Sequence, residues 1–81
     1  MSDSPSLELF IMQRCPFCRR VLAYMKHAGI DLPLREIDLD PAARAELLEK
    51  GGKTQVPCLF INGEPMYESE DIVFWLSENV A

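Results

Sequence analysis

Cys15 and Cys18 stand three residues apart in the segment Gln13-Arg14-Cys15-Pro16-Phe17-Cys18-Arg19-Arg20. Two thiols at this spacing can close a structural disulfide, supply half of a tetrahedral metal site, or cycle between dithiol and disulfide. A metal site needs two more ligands. His27 lies roughly 13 Å from Cys18 on a helix rising ~1.5 Å per residue, and Cys58 alone leaves the set one short, so no metal is expected. A structural disulfide over so short a loop restrains little of the unfolded chain. The redox alternative has a physical basis. A thiolate at a helix N-terminus accepts unpaired backbone N–H groups and sits at the positive end of the dipole. The dipole contributes about 0.3–2 kcal/mol, enough to lower a thiol pKa by about one at ~1.4 kcal/mol each. Hydrogen bonds from Cys18 and the backbone are expected to add to it, as are Arg14, Arg19 and Arg20, which lie within a Debye length of ~10 Å. Cys15 should therefore titrate below the free-thiol value of about 8.5 and act as nucleophile.

That chemistry requires a strand that delivers Cys15 to the start of a helix. Leu7–Met12 is apolar at nearly every position, the pattern of a buried strand. Pro16 suits the first helical position, and Cys18, Val21, Leu22, Met25 and Ala28 recur at helical spacing until Gly29 stops the helix. Leu32–Leu39 reads as a second, less buried strand. Asp40-Pro41 opens a short helix that Gly51-Gly52 ends. Val56–Ile61, Asn62-Gly63 and Glu64–Tyr67 form a hairpin pattern, with Pro65 placing its second strand at an edge. Ser69 is expected to cap a last helix, with Glu70 and Asp71 in its first turn and Ile72, Trp75, Leu76 and Val80 on one face. The order, βαβ then helix, hairpin and helix, is that of an α/β domain with a mixed sheet.

With 81 residues, 48% of them hydrophobic and 26% charged, the chain reads as one small globular domain over 1–81, with 1–6 a flexible tail. A net charge of −5 argues against nucleic-acid or anionic-membrane binding. The acidic N-terminus resembles no targeting signal and no apolar run is long enough to span a bilayer, so a cytoplasmic monomer is expected. Three cysteines, an odd number, do not form a disulfide framework. Cys58 is expected to be a buried, inert strand residue, and His27 a surface residue near a helix end.

Taken together, the Cys-Pro-Phe-Cys segment after a buried strand, the later Gly52-Lys53-Thr54-Gln55-Val56-Pro57 run and Tyr67-Glu68-Ser69-Glu70-Asp71 resemble the glutaredoxins of the thioredoxin-fold superfamily. The resemblance spans about Leu7 to Val80. It implies a four-stranded mixed sheet with three helices and a glutathione-dependent thiol–disulfide oxidoreductase acting on glutathionylated or disulfide-containing proteins. Cys15 would attack and Cys18 would resolve; Pro57 would be cis, and the Val56 backbone would pair with the cysteine of glutathione. Arg14, Phe17, Gln55, Glu68, Ser69 and Glu70 would complete the contacts. On residues alone the Ser69 segment is an ordinary helix start; the resemblance gives it the γ-glutamyl group as a ligand. Four positions depart from the family pattern: Phe17 replaces the usual tyrosine, Met12 a lysine, and Tyr67-Glu68 a Gly-Gly pair. Val-Pro followed by Glu-Ser is also similar to the N-terminal domain of glutathione transferases. Two other functions compete: an electron carrier reduced by thioredoxin reductase, and an iron–sulfur scaffold held through Cys15 and glutathione.

Overall fold

The computed structural model describes residues 5–80; most of the expected tail, residues 1–4, lies outside the described residues, whereas Ser6 exchanges hydrogen bonds with Asn62. The order is β1 (Leu7–Ile11), α1 (Pro16–Ala28), β2 (Leu34–Glu36), α2 (Pro41–Gly51), β3 (Cys58–Ile61), β4 (Glu64–Met66) and α3 (Ser69–Asn79). The strands form one mixed sheet ordered β2-β1-β3-β4. Strand β1 runs parallel to β2, with Leu9 opposite Leu34, and antiparallel to β3, with Leu7 opposite Ile61. With both edges of β1 paired and helices over both faces, Leu9, Phe10 and Ile11 have no solvent contact.

Alternation along the strands sorts the core into two clusters. Leu9, Ile11 and Leu59 face α1 and α3, where they meet Cys18, Val21, Met25, Ile72 and Leu76. Phe10, Cys58 and Phe60 face α2, where they meet Ala43 and Leu47. Phe10 and Phe60 pack edge to face at 5.2 Å between centroids, a favoured aromatic geometry.

Proline shortens two of the expected strands. β2 spans three residues rather than Leu32–Leu39, because Pro33 has no N–H and, beyond Glu36, the Leu39 and Asp40 N–H groups turn back onto the Glu36 carbonyl. β3 starts at Cys58 rather than Val56, since Pro57 cannot donate and the Val56-Pro57 bond is cis. Asp40 caps α2 as expected, accepting from the Ala42 N–H at 3.0 Å. Ser69 does not cap α3. Glu68 holds the capping position with φ 73° and no side-chain cap bond, and Ser69 is the first helical residue, 5% exposed. The left-handed backbone at Glu68 is the conformation a glycine adopts freely, which gives the family's Gly-Gly pattern at this point a steric reason.

Candidate active site

Strand β1 ends at Ile11 and the chain turns, with the Cys15 N–H donating to the Met12 carbonyl at 3.1 Å. Cys15 is then the N-cap of α1 in extended conformation, and Pro16 takes the first helical position, where its missing donor costs nothing. Cys15 is half-buried and Cys18, one turn in, is fully buried; both are free thiols.

The two thiols are held in opposite protonation regimes. Desolvation pushes the Cys15 thiol up, but hydrogen bonds from the Cys18 backbone, the Cys18 side chain and the Phe17 backbone outweigh it and leave the pKa below the ordinary thiol value. Burial pushes Cys18 up to about 12, and the neighbouring Cys15 charge reinforces this; the Met12 N–H, donating to Cys18 Sγ at 3.4 Å, opposes it only in part. Cys15 is thus set up as the thiolate and Cys18 as the proton-bearing partner. The arginines do not supply the activation expected of them. Arg19 donates through Nε to the Gln13 carbonyl at 3.0 Å, Arg20 faces Glu70, and Arg14 is exposed. The lowering comes from local hydrogen bonds instead.

Beside the dithiol lies a groove of about 600 Å³, lined by Phe17, Arg20, Gln55, Val56, Pro57, Glu68, Ser69, Glu70 and Asp71. Of the site residues expected from sequence it brings together Phe17, Gln55, Val56, Pro57, Glu68, Ser69 and Glu70, and leaves Arg14 outside. Asp71, in the segment whose resemblance implies a γ-glutamyl site, joins the lining too, and Arg20 joins it without having been singled out. The signal for Arg20 was available: it is one helical turn from Phe17. Val56 and Cys15 both pack against the core cluster that α1 and α3 cover, and the Val56-Pro57 bond is cis.

Cys58 belongs to the opposite face of the sheet. It is fully buried, and burial raises its pKa to about 11, opposed in part by the Met66 backbone and the neighbouring Tyr67 hydroxyl. The same hydroxyl donates to the Gly51 carbonyl at 2.9 Å, tying the end of α2 to the segment that leads into α3.

A dithiol at the start of a helix, on a four-stranded mixed sheet whose third strand follows a cis-proline, defines a thioredoxin-fold thiol–disulfide oxidoreductase. The glutaredoxin family profile matches residues 7–66, so the chain belongs to the glutaredoxin family. It is 28% identical over 67 residues to glutaredoxin 3 of Escherichia coli (strain K12), covering 83% of this chain and 81% of that protein. It is 33% identical over 73 residues to a probable glutaredoxin of Synechocystis sp., covering 89% and 83%. Among solved structures it is similar to a delta-class glutathione transferase of Nilaparvata lugens, with 30% identity and a TM-score of 0.73, over 89% of this chain and 35% of that one.

Proposed function

We propose that this protein reduces glutathione mixed disulfides and protein disulfides at the expense of glutathione, with Cys15 as nucleophile and Cys18 as resolving thiol. The observation that carries this reading is the groove, which joins Phe17, beside the nucleophile, to the Val56-Pro57 backbone and the N-terminus of α3. Its volume falls within the ~300–1,000 Å³ of small-ligand sites. A cysteinyl peptide lying along Val56 places its sulfur toward Cys15. Its γ-glutamyl carboxylate then meets the free N–H groups at Ser69 and Glu70, and Glu68, Glu70 or Asp71 takes the ammonium. Gln55 and Phe17 flank the peptide. The cycle below needs only thiols and disulfides.

In the first step the Cys15 thiolate attacks the glutathione sulfur of a mixed disulfide. A Cys15–glutathione disulfide forms, and the target leaves as a thiolate that takes up a proton. A second glutathione thiolate then attacks the bound glutathione sulfur, releasing oxidised glutathione and the Cys15 thiolate. On a protein disulfide, Cys15 forms a mixed disulfide with one target sulfur. Cys18 then attacks Cys15, giving the Cys15–Cys18 disulfide and the reduced target, and two glutathiones restore the dithiol. The net charge of −5 speaks against nucleic-acid and anionic-membrane partners, and the proposed setting is a monomer in the cytoplasm.

Turnover of a glutathionylated peptide and of a disulfide-containing protein, each coupled to glutathione reductase, tests the assignment. Cys18→Ser should keep most activity on the glutathionylated peptide and lose it on the protein disulfide; Cys15→Ser should lose both. Loss of the first activity in a folded Cys18→Ser protein would assign the site to a dithiol electron carrier instead.

A further inference from the structure

The groove wall carries three carboxylates, Glu68, Glu70 and Asp71, against a single guanidinium, Arg20. Glutathione is itself an anion, with two carboxylates and one ammonium. Lined by carboxylates alone, such a wall would repel it. Arg20 Nη1 stands 3.6 Å from Glu70 Oε2, and both side chains are largely exposed, so the contact is a loose pair across the groove from α1 to α3. Glu68 and Asp71 form no ion pair among the described residues. The guanidinium thus sits at the α3 end of the groove, where the N-terminal N–H groups of α3 also gather.

We infer that Arg20 is a specificity-determining residue for the co-substrate: on binding, it exchanges Glu70 for the α-carboxylate of the γ-glutamyl group. The exchange swaps one carboxylate partner for another, and the released Glu70 carboxylate, with Glu68 and Asp71, is left to face the ammonium. Arg20 and the carboxylates together therefore read an α-amino-acid zwitterion rather than a negative charge alone. The planar guanidinium suits the paired oxygens of a carboxylate, a geometry lysine cannot reproduce. Because an exposed ion pair adds little to stability, the pair leaves Arg20 free to make the exchange.

This inference rests on the glutathione reading above, and the test separates the two. Reduction of a glutathionylated peptide is compared with reduction of the same peptide carrying glutathione whose γ-glutamyl α-carboxylate is an amide, in the unaltered protein, Arg20→Gln and Arg20→Lys. The unaltered protein should prefer the carboxylate form in kcat/KM by about two- to fivefold, the scale of one exposed charge contact. Arg20→Gln should lose most of that preference, the remainder coming from the α3 N–H groups, through KM for the carboxylate form with kcat at saturation kept, and Arg20→Lys should regain part of it. The Cys15 titration midpoint and the melting temperature should not move. A preference that persists undiminished in Arg20→Gln would overturn the role of Arg20 while leaving the glutathione reading in place. Failure of the unaltered protein to turn over either form would overturn both.

Discussion

The two cysteines differ by one helical turn and by the direction in which their surroundings drive them. Cys15 is stabilised as a thiolate by donors that belong to the motif itself, two of them from Cys18. Cys18 is held protonated partly by the charge and hydrogen bond of Cys15. Once Cys15 is tied into a mixed disulfide, both of those influences vanish. Cys18 then gives up its proton more readily, at the step where it must attack. The midpoint of the thiolate absorbance near 240 nm should lie below the ordinary thiol value of about 8.5, and mixed-disulfide reduction should rise with pH through the same midpoint. Cys18→Ala, which removes a donor, should raise that midpoint more than Cys18→Ser, which keeps a hydroxyl; equal midpoints in the two variants would remove Cys18 from the activation. The nucleophile was legible in the sequence because Cys-Pro-Phe-Cys after an apolar strand fixes its place at a helix start. Part of its activation was legible as well, because a helix start offers unpaired N–H groups to a thiolate; the part expected of the arginines was not. Three arginines suggest a Coulombic effect, but side-chain direction decides whether a charge reaches a thiol, and here Arg19 and Arg20 turn to other partners.

At the scale of elements, the site depends on how α3 is brought to α1. The approach runs through Tyr67 and Glu68, where the resemblance leads one to expect two glycines. Glu68 takes the left-handed backbone that glycine would occupy without strain and carries a carboxylate into the groove. Tyr67 anchors the approach: its hydroxyl bonds the Gly51 carbonyl and its ring receives Lys53 Nζ at 4.4 Å. Gly51 is required for the fit, because a Cβ there would run into the Tyr67 hydroxyl. Gly51→Ala should therefore destabilise the protein, although alanine is favoured over glycine in a helix by up to ~1 kcal/mol. In a Tyr67→Phe background the obstacle is gone and the sign should reverse. Denaturant unfolding of the four proteins of this cycle is the measurement, and the same sign in both backgrounds would refute the contact. Element order and most boundaries could be read from apolar spacing and from the Pro and Gly positions. The cap of α3 could not: Ser69 has the composition of an N-cap, but its own burial places it inside the first turn.

Across the whole molecule, the buried thiols make stability depend on alkaline pH. Cys18 and Cys58 have folded pKa values raised to about 12 and about 11, and the Tyr67 hydroxyl is raised as well, by burial and by Cys58. A raised acid contributes stability that is complete below its unfolded pKa, about 8.5 for a thiol, and is lost as pH rises through the folded value. Cys15 has the opposite sign: its contribution is present above the unfolded value and is lost as pH falls through its lowered folded value. In a Cys15→Ser background the melting temperature of the reduced protein should therefore fall steadily above about pH 8.5. Cys58→Ala should flatten part of that fall, and an unchanged slope would mean that Cys58 ionises freely in the folded state. On the same face of the sheet, Arg35 gathers Glu8, Glu46 and the more distant Asp40 while stacking 5.3 Å above the Phe10 ring, joining β1, β2 and α2 in one cluster. The architecture was legible because each apolar run has a single period. This cluster was not, because its members are 5 to 38 residues apart and only the sheet register brings them together.

The position of β1 has a consequence for how the molecule comes into being. Its antiparallel partner begins at Cys58, and Leu7 must wait for Ile61 before that edge is closed. Contacts of such separation form late, because a long loop must be closed before they repay it. During synthesis Cys15 and its helix exist as sequence well before Pro57, Ser69 and Glu70 have left the ribosome. A partial chain holds a thiol pair with its own local activation and no groove to select what it meets. Selectivity arrives only when the C-terminal third docks, so the order of translation places reactivity before discrimination.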